Sequence, residues 1–154
     1  MRTKKTAVVI AVTNNKGGVG KTITTQDLSA ALADKGKNVC MIDFDSQHNL
    51  TNRCKNEQRA EELEELLSKG GTIENYLRNS KLEILPFKVK ENLFLIPSTI
   101  ELAQYSTSLY QSSPSESPSE VLKRFCNDMR EVFDYIIIDS EPGMGALMVN
   151  ATKA

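Results

Sequence analysis

The sequence predicts an α/β domain in which helices cover both faces of a mainly parallel sheet. Its apolar runs are rich in β-branched residues and lack the polar alternation of a half-exposed strand, as in AVVIAV at residues 7–12. These runs alternate with segments of helical periodicity, an order typical of βαβ units. With 154 residues, 40% hydrophobic and 25% charged, the chain has the length and composition of a folded domain. We therefore expect a single domain over residues 1–154.

The elements follow from periodicity and from breaker residues. Three glycines at positions 17, 18 and 20 separate the first strand from the first helix, and Gly36 ends that helix. Two later strands each end at an acid, Asp43 or Asp139. The predicted strands are residues 7–12, 39–42, 93–96 and 133–138, and the predicted helices are residues 21–35, 57–67, 73–77, about 118–131 and a last one from residue 145.

A serine- and proline-rich segment at residues 106–119 predicts a loop of low complexity. Its last proline, Pro118, suits the first turn of a helix, where a backbone N–H is not needed. The helix that follows is therefore expected to begin at this proline.

Charge, cysteines and apolar runs exclude several classes of protein. The net charge of −1 gives no whole-chain sign of nucleic-acid binding, so a basic patch would have to be local. No apolar run approaches the ~20 residues of a membrane-spanning helix, and no secretory signal is evident. We expect a cytoplasmic protein without integral membrane contact. The three cysteines are too widely spaced for a disulfide framework or a metal pair and are expected to be reduced thiols.

The segment KGGVGKT at residues 16–22 has the sequence and context of a phosphate-binding loop. Its glycines allow a tight turn in which successive N–H groups point at phosphate oxygens, and the helix N terminus adds partial positive charge. Lys21 would reach the β- and γ-phosphates, and the Thr22 hydroxyl would bind Mg²⁺. The alternative is an ordinary glycine turn before a helix, with a solvated lysine.

Four segments resemble the ParA/MinD family of partitioning and positioning ATPases. NNKGGVGKT, residues 14–22, resembles the deviant Walker A motif of that family, in which a lysine heads the loop. MIDFDSQ, residues 41–47, is similar to its second motif, with Ser46 in place of the usual proline. Residues 133–140 look like its Walker B stretch, and residues 92–103 also look like a family segment. The resemblance spans nearly the whole chain and implies a three-layer P-loop NTPase fold that binds ATP and Mg²⁺.

The resemblance also implies roles for individual residues. Lys16 would cross to the nucleotide of a second subunit and act there as an arginine finger does elsewhere. Asp45 would position the attacking water, Asp139 would hold Mg²⁺ through water, and Asp43 would support the metal site. The alternative for acids that end strands is helix capping or turn formation. The predicted catalytic residues are Lys16, Lys21 and Asp45; the nucleotide-binding residues are Gly17, Gly18, Val19, Gly20, Lys21, Thr22 and Ile23; and the metal-binding residues are Thr22, Asp139 and Asp43.

Besides Ser46, three features depart from the family pattern. Ile23 stands where a second threonine commonly contacts the α-phosphate, so that one hydrogen bond worth ~1 kcal/mol would be missing. Glu141 stands where the family often has proline. Family members continue for roughly another hundred residues after the position of Ala154, so we expect this chain to be the N-terminal portion of the fold, with the C-terminal part missing.

The function implied is an ATP-dependent switch for plasmid or chromosome partitioning. It would dimerise on binding ATP, and in a full-length form it would act with a ParB-like stimulating partner and non-specific DNA. One alternative is a nucleotide-binding or partner-binding module without hydrolysis, which Ile23 and the missing C-terminal part favour. Another is a reductase or tyrosine kinase on the same scaffold, but the bridging cysteines of the first and the terminal tyrosine cluster of the second are not evident.

Overall fold

The computed structural model describes residues 6–105 and 118–142, which form a five-stranded sheet flanked by helices. Strand order in the sheet is β1-β5-β2-β4-β3. The strands are β1 Val8–Val12, β2 Val39–Phe44, β3 Phe87–Lys90, β4 Leu93–Ile96 and β5 Tyr135–Ser140.

Four of the five strands are parallel. β5 lies between β1 and β2, and β4 lies on the other side of β2. Of the five described strands, only β3 is antiparallel, and a tight turn with Asn92 at φ 59° joins it to β4. Because β5 has a partner on each edge, the carboxyl ends of β1, β5 and β2 lie side by side, and Val12, Asp139 and Asp43 stand at one level of the sheet.

Five helices and a helical segment at residues 101–105 accompany the sheet in the described ranges. The prediction that Pro118 begins a helix is confirmed. The helix predicted at residues 57–67 begins later, because Asn56 accepts a hydrogen bond from the Arg59 N–H and holds residues 57–59 in a turn. The helices are α1 Lys21–Asp34, α2 Asn49–Cys54, α3 Ala60–Ser68, α4 Ile73–Arg78 and α5 Pro118–Met129.

Two separate hydrophobic clusters show that the fold has three layers. Alternate residues of β2 enter different clusters: Cys40 and Ile42 pack on one face, and Val39 and Met41 on the other. Residues of α4 and α5 cover the first face, and residues of α1, α2 and α3 cover the second. All six residues of β2 are buried, as expected for a strand covered on both faces. The predicted α/β fold with a mainly parallel sheet is confirmed.

Further sequence predictions concern the cysteines, a membrane-spanning helix and two segments of the second half of the chain. Each of the three cysteines is a buried free thiol. In the described ranges, no helix is long and apolar enough to cross a membrane. The predicted helix from residue 145 and most of the serine- and proline-rich segment lie outside the described residues.

Candidate functional site: a phosphate-binding loop at the carboxyl edge of the sheet

The glycine loop connects β1 to α1 in a conformation that depends on two of its glycines. Gly18 has φ 69° and Gly20, at the N terminus of α1, has φ 88°, both in the left-handed region that favours glycine. The ammonium group of Lys21 donates a hydrogen bond to the carbonyl oxygen of Lys16 at 3.1 Å. This hydrogen bond connects the two ends of the glycine loop and keeps the charge of Lys21 beside the loop.

The N terminus of α1 is suited to an anion. Its first intrahelical bond runs from the Thr24 N–H to the Gly20 carbonyl at 2.8 Å, no side chain in the described part of the chain caps the helix, and no acid occupies its first turn. The first N–H groups of a helix lack intrahelical acceptors and carry the positive end of the helix dipole. A phosphate group would supply both the acceptors and the compensating charge.

Asp139 is a buried carboxylate at the end of β5. It is 1% exposed, and neither of its carboxylate oxygens has a hydrogen-bond partner among the residues that the structure describes. Burial raises the pKa of Asp139 above its usual range; the nearby Thr22 hydroxyl and the Lys21 ammonium group act in the opposite direction. An unpartnered buried carboxylate is costly unless a cation compensates it. Together, the Thr22 hydroxyl and this carboxylate are oxygen donors of the kind that Mg²⁺ prefers.

Asp43, at the end of β2, has both carboxylate oxygens occupied. One oxygen accepts hydrogen bonds from the Thr51 N–H at 2.8 Å and the Thr51 hydroxyl at 2.6 Å, and the other accepts the Asp45 N–H at 3.3 Å. Burial raises the pKa of Asp43 to about 6, although the bonds from Thr51 oppose the shift. Asp43 therefore anchors α2 to the sheet beside Asp139. Its contribution to a metal site stays a prediction, and these bonds favour an indirect one.

Replacing Thr51 with valine is expected to lower the free energy of unfolding by ~1–3 kcal/mol, since a buried acceptor loses a donor. The Thr51 hydroxyl also accepts the Ser98 N–H at 3.1 Å, and that donor would be orphaned as well. Denaturant unfolding measures the change. Thr24→Val, at an exposed position on α1, is the matched control. If both variants lose the same stability, the Asp43–Thr51 contact is not important for folding.

Asp45 lies in a tight loop directly after β2. Its side chain accepts the Gln47 N–H at 2.9 Å, and its carbonyl oxygen accepts the His48 N–H at 2.8 Å and the Ser98 hydroxyl at 3.0 Å. Asp45 is 8% exposed and faces the cleft at the glycine loop. The short bonds within and around the loop hold this carboxylate in a defined place.

A cleft of about 630 Å³ brings much of the predicted site together. It unites the predicted nucleotide-binding residues with Asp45. Asp139 and Asp43 are paired with each other near the carboxyl ends of β5 and β2, and Lys16 is exposed on the glycine loop. Sequence reasoning missed the contribution of α2, whose Asn49, Asn52 and Arg53 share one helical face at i, i+3 and i+4. The lining residues are Gly17, Gly18, Val19, Gly20, Lys21, Thr22, Ile23, Asp45, Gln47, Asn49, Asn52, Arg53 and Pro142.

A glycine loop leading into a helix, with acids on the neighbouring strand ends, defines the chain as a P-loop nucleotide-binding domain. Comparison with known proteins identifies the family. The AAA_31 family model, an AAA domain, matches residues 7–154, and the chain belongs to that family.

Partition proteins are among the relatives of the chain. The sporulation initiation inhibitor protein Soj of Bacillus subtilis is 37% identical over 148 residues, covering 95% of this chain and 54% of Soj. The chain spans about half the length of the curated relatives it matches. Homology to Soj, ParA and MinD proteins over most of the chain confirms the predicted resemblance.

Solved structures agree with this assignment. A putative plasmid partition protein of Borrelia burgdorferi bound to AMPPNP has a TM-score of 0.77 at 27% identity, covering 95% of this chain and 57% of that protein. Cobyrinic acid a,c-diamide synthase of Mycobacterium smegmatis, with a bound ATP analog and magnesium, has a TM-score of 0.75 at 29% identity, covering 94% of this chain and 55% of the synthase. The family and these structures support a ParA-like nucleotide-binding role.

Proposed function

We propose that the chain is the nucleotide-binding part of a Mg²⁺-dependent ATPase that acts as a partition switch and dimerises on binding ATP. One observation carries the proposal: the glycine loop and Asp45 share a cleft, and the carboxylate of Asp139, which has no hydrogen-bond partner among the described residues, lies close to Thr22. Phosphoryl transfer depends on positioning and charge neutralisation. It needs three things close together: hydrogen-bond donors to the phosphate oxygens, a metal site and a group that orients the attacking water. The cleft offers candidates for all three.

ATP binding is assigned to the glycine loop and the start of α1. The backbone N–H groups of residues 17–22 would hold the phosphate oxygens. The ammonium group of Lys21, which bonds to the Lys16 carbonyl at 3.1 Å in the structure, would exchange this acceptor for the β- and γ-phosphate oxygens. This exchange replaces a neutral acceptor by a charged one and therefore favours binding.

Thr22 and Asp139 would hold Mg²⁺, and Asp43 would support them from the neighbouring strand. Mg²⁺ neutralises charge on the β- and γ-phosphates of a bound nucleotide. Cation binding favours the ionised form of Asp139, which burial disfavours in its absence.

The hydrolytic step is assigned to Asp45 and Lys16. The carboxylate of Asp45 would accept a hydrogen bond from the attacking water and orient it towards the γ-phosphate. Lys16 of a second copy would place a fixed cation where negative charge develops on the transferred phosphoryl group. In the described structure Lys16 is exposed, as a residue that must reach another subunit needs to be.

Partition of plasmid or chromosomal DNA is the biological role we propose for the natural protein that contains this chain. Supporting it are the names of its relatives, which include a chromosome-partitioning ATPase and plasmid partition proteins. A ParB-like stimulating protein and non-specific DNA are the proposed partners.

A second candidate is a module that binds nucleotide without hydrolysing it. Ile23 favours this alternative, because its side chain is 49% exposed and lines the cleft with an apolar group where a hydroxyl donor would bind phosphate. Measured turnover by the wild-type protein would exclude it.

Calorimetry with Mg·ATP tests the nucleotide site. Lys21→Ala is expected to weaken binding at least ~10-fold, since a charge-assisted hydrogen bond to phosphate is lost. Lys37→Ala, at an exposed lysine beyond the C-terminal end of α1, is the matched control and should bind as the wild type does. Equal affinities of the wild type and Lys21→Ala would show that the nucleotide does not bind at this loop.

A further inference from the structure

Two residues on separate loops, Ser46 and Glu141, contact each other beside the cleft. A Glu141 carboxylate oxygen accepts a hydrogen bond from the Ser46 hydroxyl at 2.8 Å and a longer one from the Ser46 N–H at 3.4 Å. Ser46 is 8% exposed, so this contact is largely removed from solvent. The two residues are 95 positions apart in the sequence, and the contact therefore joins the loop after β2 to the loop after β5.

The two loops also continue the pairing of the sheet. Phe44 and Ser140 are the last paired residues of β2 and β5, and the Glu141 N–H donates to the Phe44 carbonyl at 3.2 Å. The Ser46–Glu141 contact follows directly on this ladder. It holds the loops together at the point where the sheet ends and the cleft begins.

Each joined loop carries a residue that lines the cleft. Asp45 precedes Ser46, and Pro142 follows Glu141. Pro142 packs close to the glycine loop, where its ring lies 4.0 Å from the place that a Cβ at Gly17 would occupy. The Ser98 hydroxyl donates a hydrogen bond to the Asp45 carbonyl oxygen at 3.0 Å. The loop that carries Asp45 is thus held by Ser98 and by the Ser46–Glu141 contact.

We propose that Glu141 is a positioning residue, which sets the place of the Asp45 carboxylate relative to the glycine loop through its hydrogen bonds with Ser46. The inference rests on the proposed ATPase function, because it assigns Glu141 to the water-orienting side of that site. The inference also explains together why Ser46 and Glu141 depart from the family pattern. Ser46 supplies a hydroxyl and an N–H, both of which proline lacks, and Glu141 supplies the oxygen that accepts their hydrogen bonds.

The test uses four variants in the natural protein that contains this chain: Ser46→Ala, Glu141→Ala, the double variant and Glu141→Gln. Ser46→Ala and Glu141→Ala are each expected to lower kcat about 10-fold with KM for ATP within about twofold, since a charged hydrogen-bond acceptor or its donor is lost. The double variant should be no slower than Glu141→Ala, because Glu141→Ala already removes both hydrogen bonds and Ser46→Ala removes only the one from the hydroxyl. Glu141→Gln keeps an acceptor oxygen and should restore most of the rate.

Matched controls are Ser68→Ala and Glu91→Ala, both on exposed surfaces away from the cleft. Losses that multiply in the double variant, or an unchanged kcat in Glu141→Ala, would overturn the inference while leaving the proposed function in place. If the wild type does not turn over ATP, the proposed function fails. Hydrogen exchange at the amides of residues 46–48 then decides the structural part: faster exchange in Glu141→Ala supports the contact, and unchanged exchange refutes it.

Discussion

Replacing Lys16 with alanine is expected to lower ATP turnover by about 10³-fold, the lower end of what a cation supplied in trans contributes to phosphoryl transfer. ATP affinity should change little, because the side chain of Lys16 is exposed on the loop and only its backbone carbonyl bonds to Lys21. A group that acts only on the transition state lowers kcat and kcat/KM together. Lys37→Ala is the matched control for the loss of one surface lysine.

A mixing experiment distinguishes action in trans from action in cis. Lys16→Ala and Asp45→Asn, each expected to keep about 1% of the wild-type rate or less, are mixed at equal concentration with Mg·ATP. If Lys16 acts on the nucleotide of the partner subunit, the mixture regains about a quarter of the wild-type rate, since half of the dimers are mixed and each mixed dimer has one intact site. In that site, Lys16 comes from one subunit and Asp45 from the other. A mixture that remains inactive would argue against the sandwich dimer.

The central strands could be predicted from the sequence because burial on both faces leaves a simple signal. Residues 93–96 were predicted as a strand with the observed bounds. The strands predicted at residues 39–42 and 133–138, each closing on an acid, extend one residue past Asp43 and Asp139 in the structure, and β5 begins at Tyr135. Acidic residues are unusual in buried strands, but here the ladder continues past the paired Asp43 and Asp139 to Phe44 and Ser140.

Two short elements could not be predicted because tertiary contacts stabilise them. α2 has six residues, NLTNRC, with little apolar periodicity. Burial of Leu50 and Cys54 and the hydrogen bonds from Thr51 to Asp43 hold it in place. β3 is a four-residue antiparallel edge strand, too short for its alternation to stand out.

In the candidate site, too, the local motif could be predicted from the sequence, but the contacts between residues far apart in the chain could not. The glycine loop is a local motif, and its position between β1 and α1 follows from the sequence alone. The contacts that position Asp45 come from far along the chain: Ser98 is 53 residues away, and the Ser46–Glu141 contact spans 95 residues. Neither pairing has a signal in one sequence, because each depends on which strands become neighbours. Glu141 stood out in the sequence only as a departure from the family pattern.

The Asp45 carboxylate can be tested separately from the loop that carries it. Its side chain accepts the Gln47 N–H at 2.9 Å, a bond that asparagine can keep through its amide oxygen and alanine cannot. Asp45→Asn therefore removes the charge while preserving the loop. We expect kcat to fall about 100-fold in this variant, within the range ascribed to a positioned acid or base, while the affinity for Mg·ATP changes less than about threefold.

Asp45→Ala should lose as much turnover as Asp45→Asn and, in addition, the protection of the Gln47 amide from hydrogen exchange. Single-turnover assays measure the loss of turnover, calorimetry measures the affinity for Mg·ATP, and hydrogen exchange measures the protection of the Gln47 amide. Asp128→Ala, at an exposed position on α5, is the control for loss of an aspartate elsewhere. The comparison between the two Asp45 variants is decisive. If Asp45→Asn turns over as the wild type does and only Asp45→Ala is impaired, the role of Asp45 is to hold the loop through Gln47, and another group must orient the water.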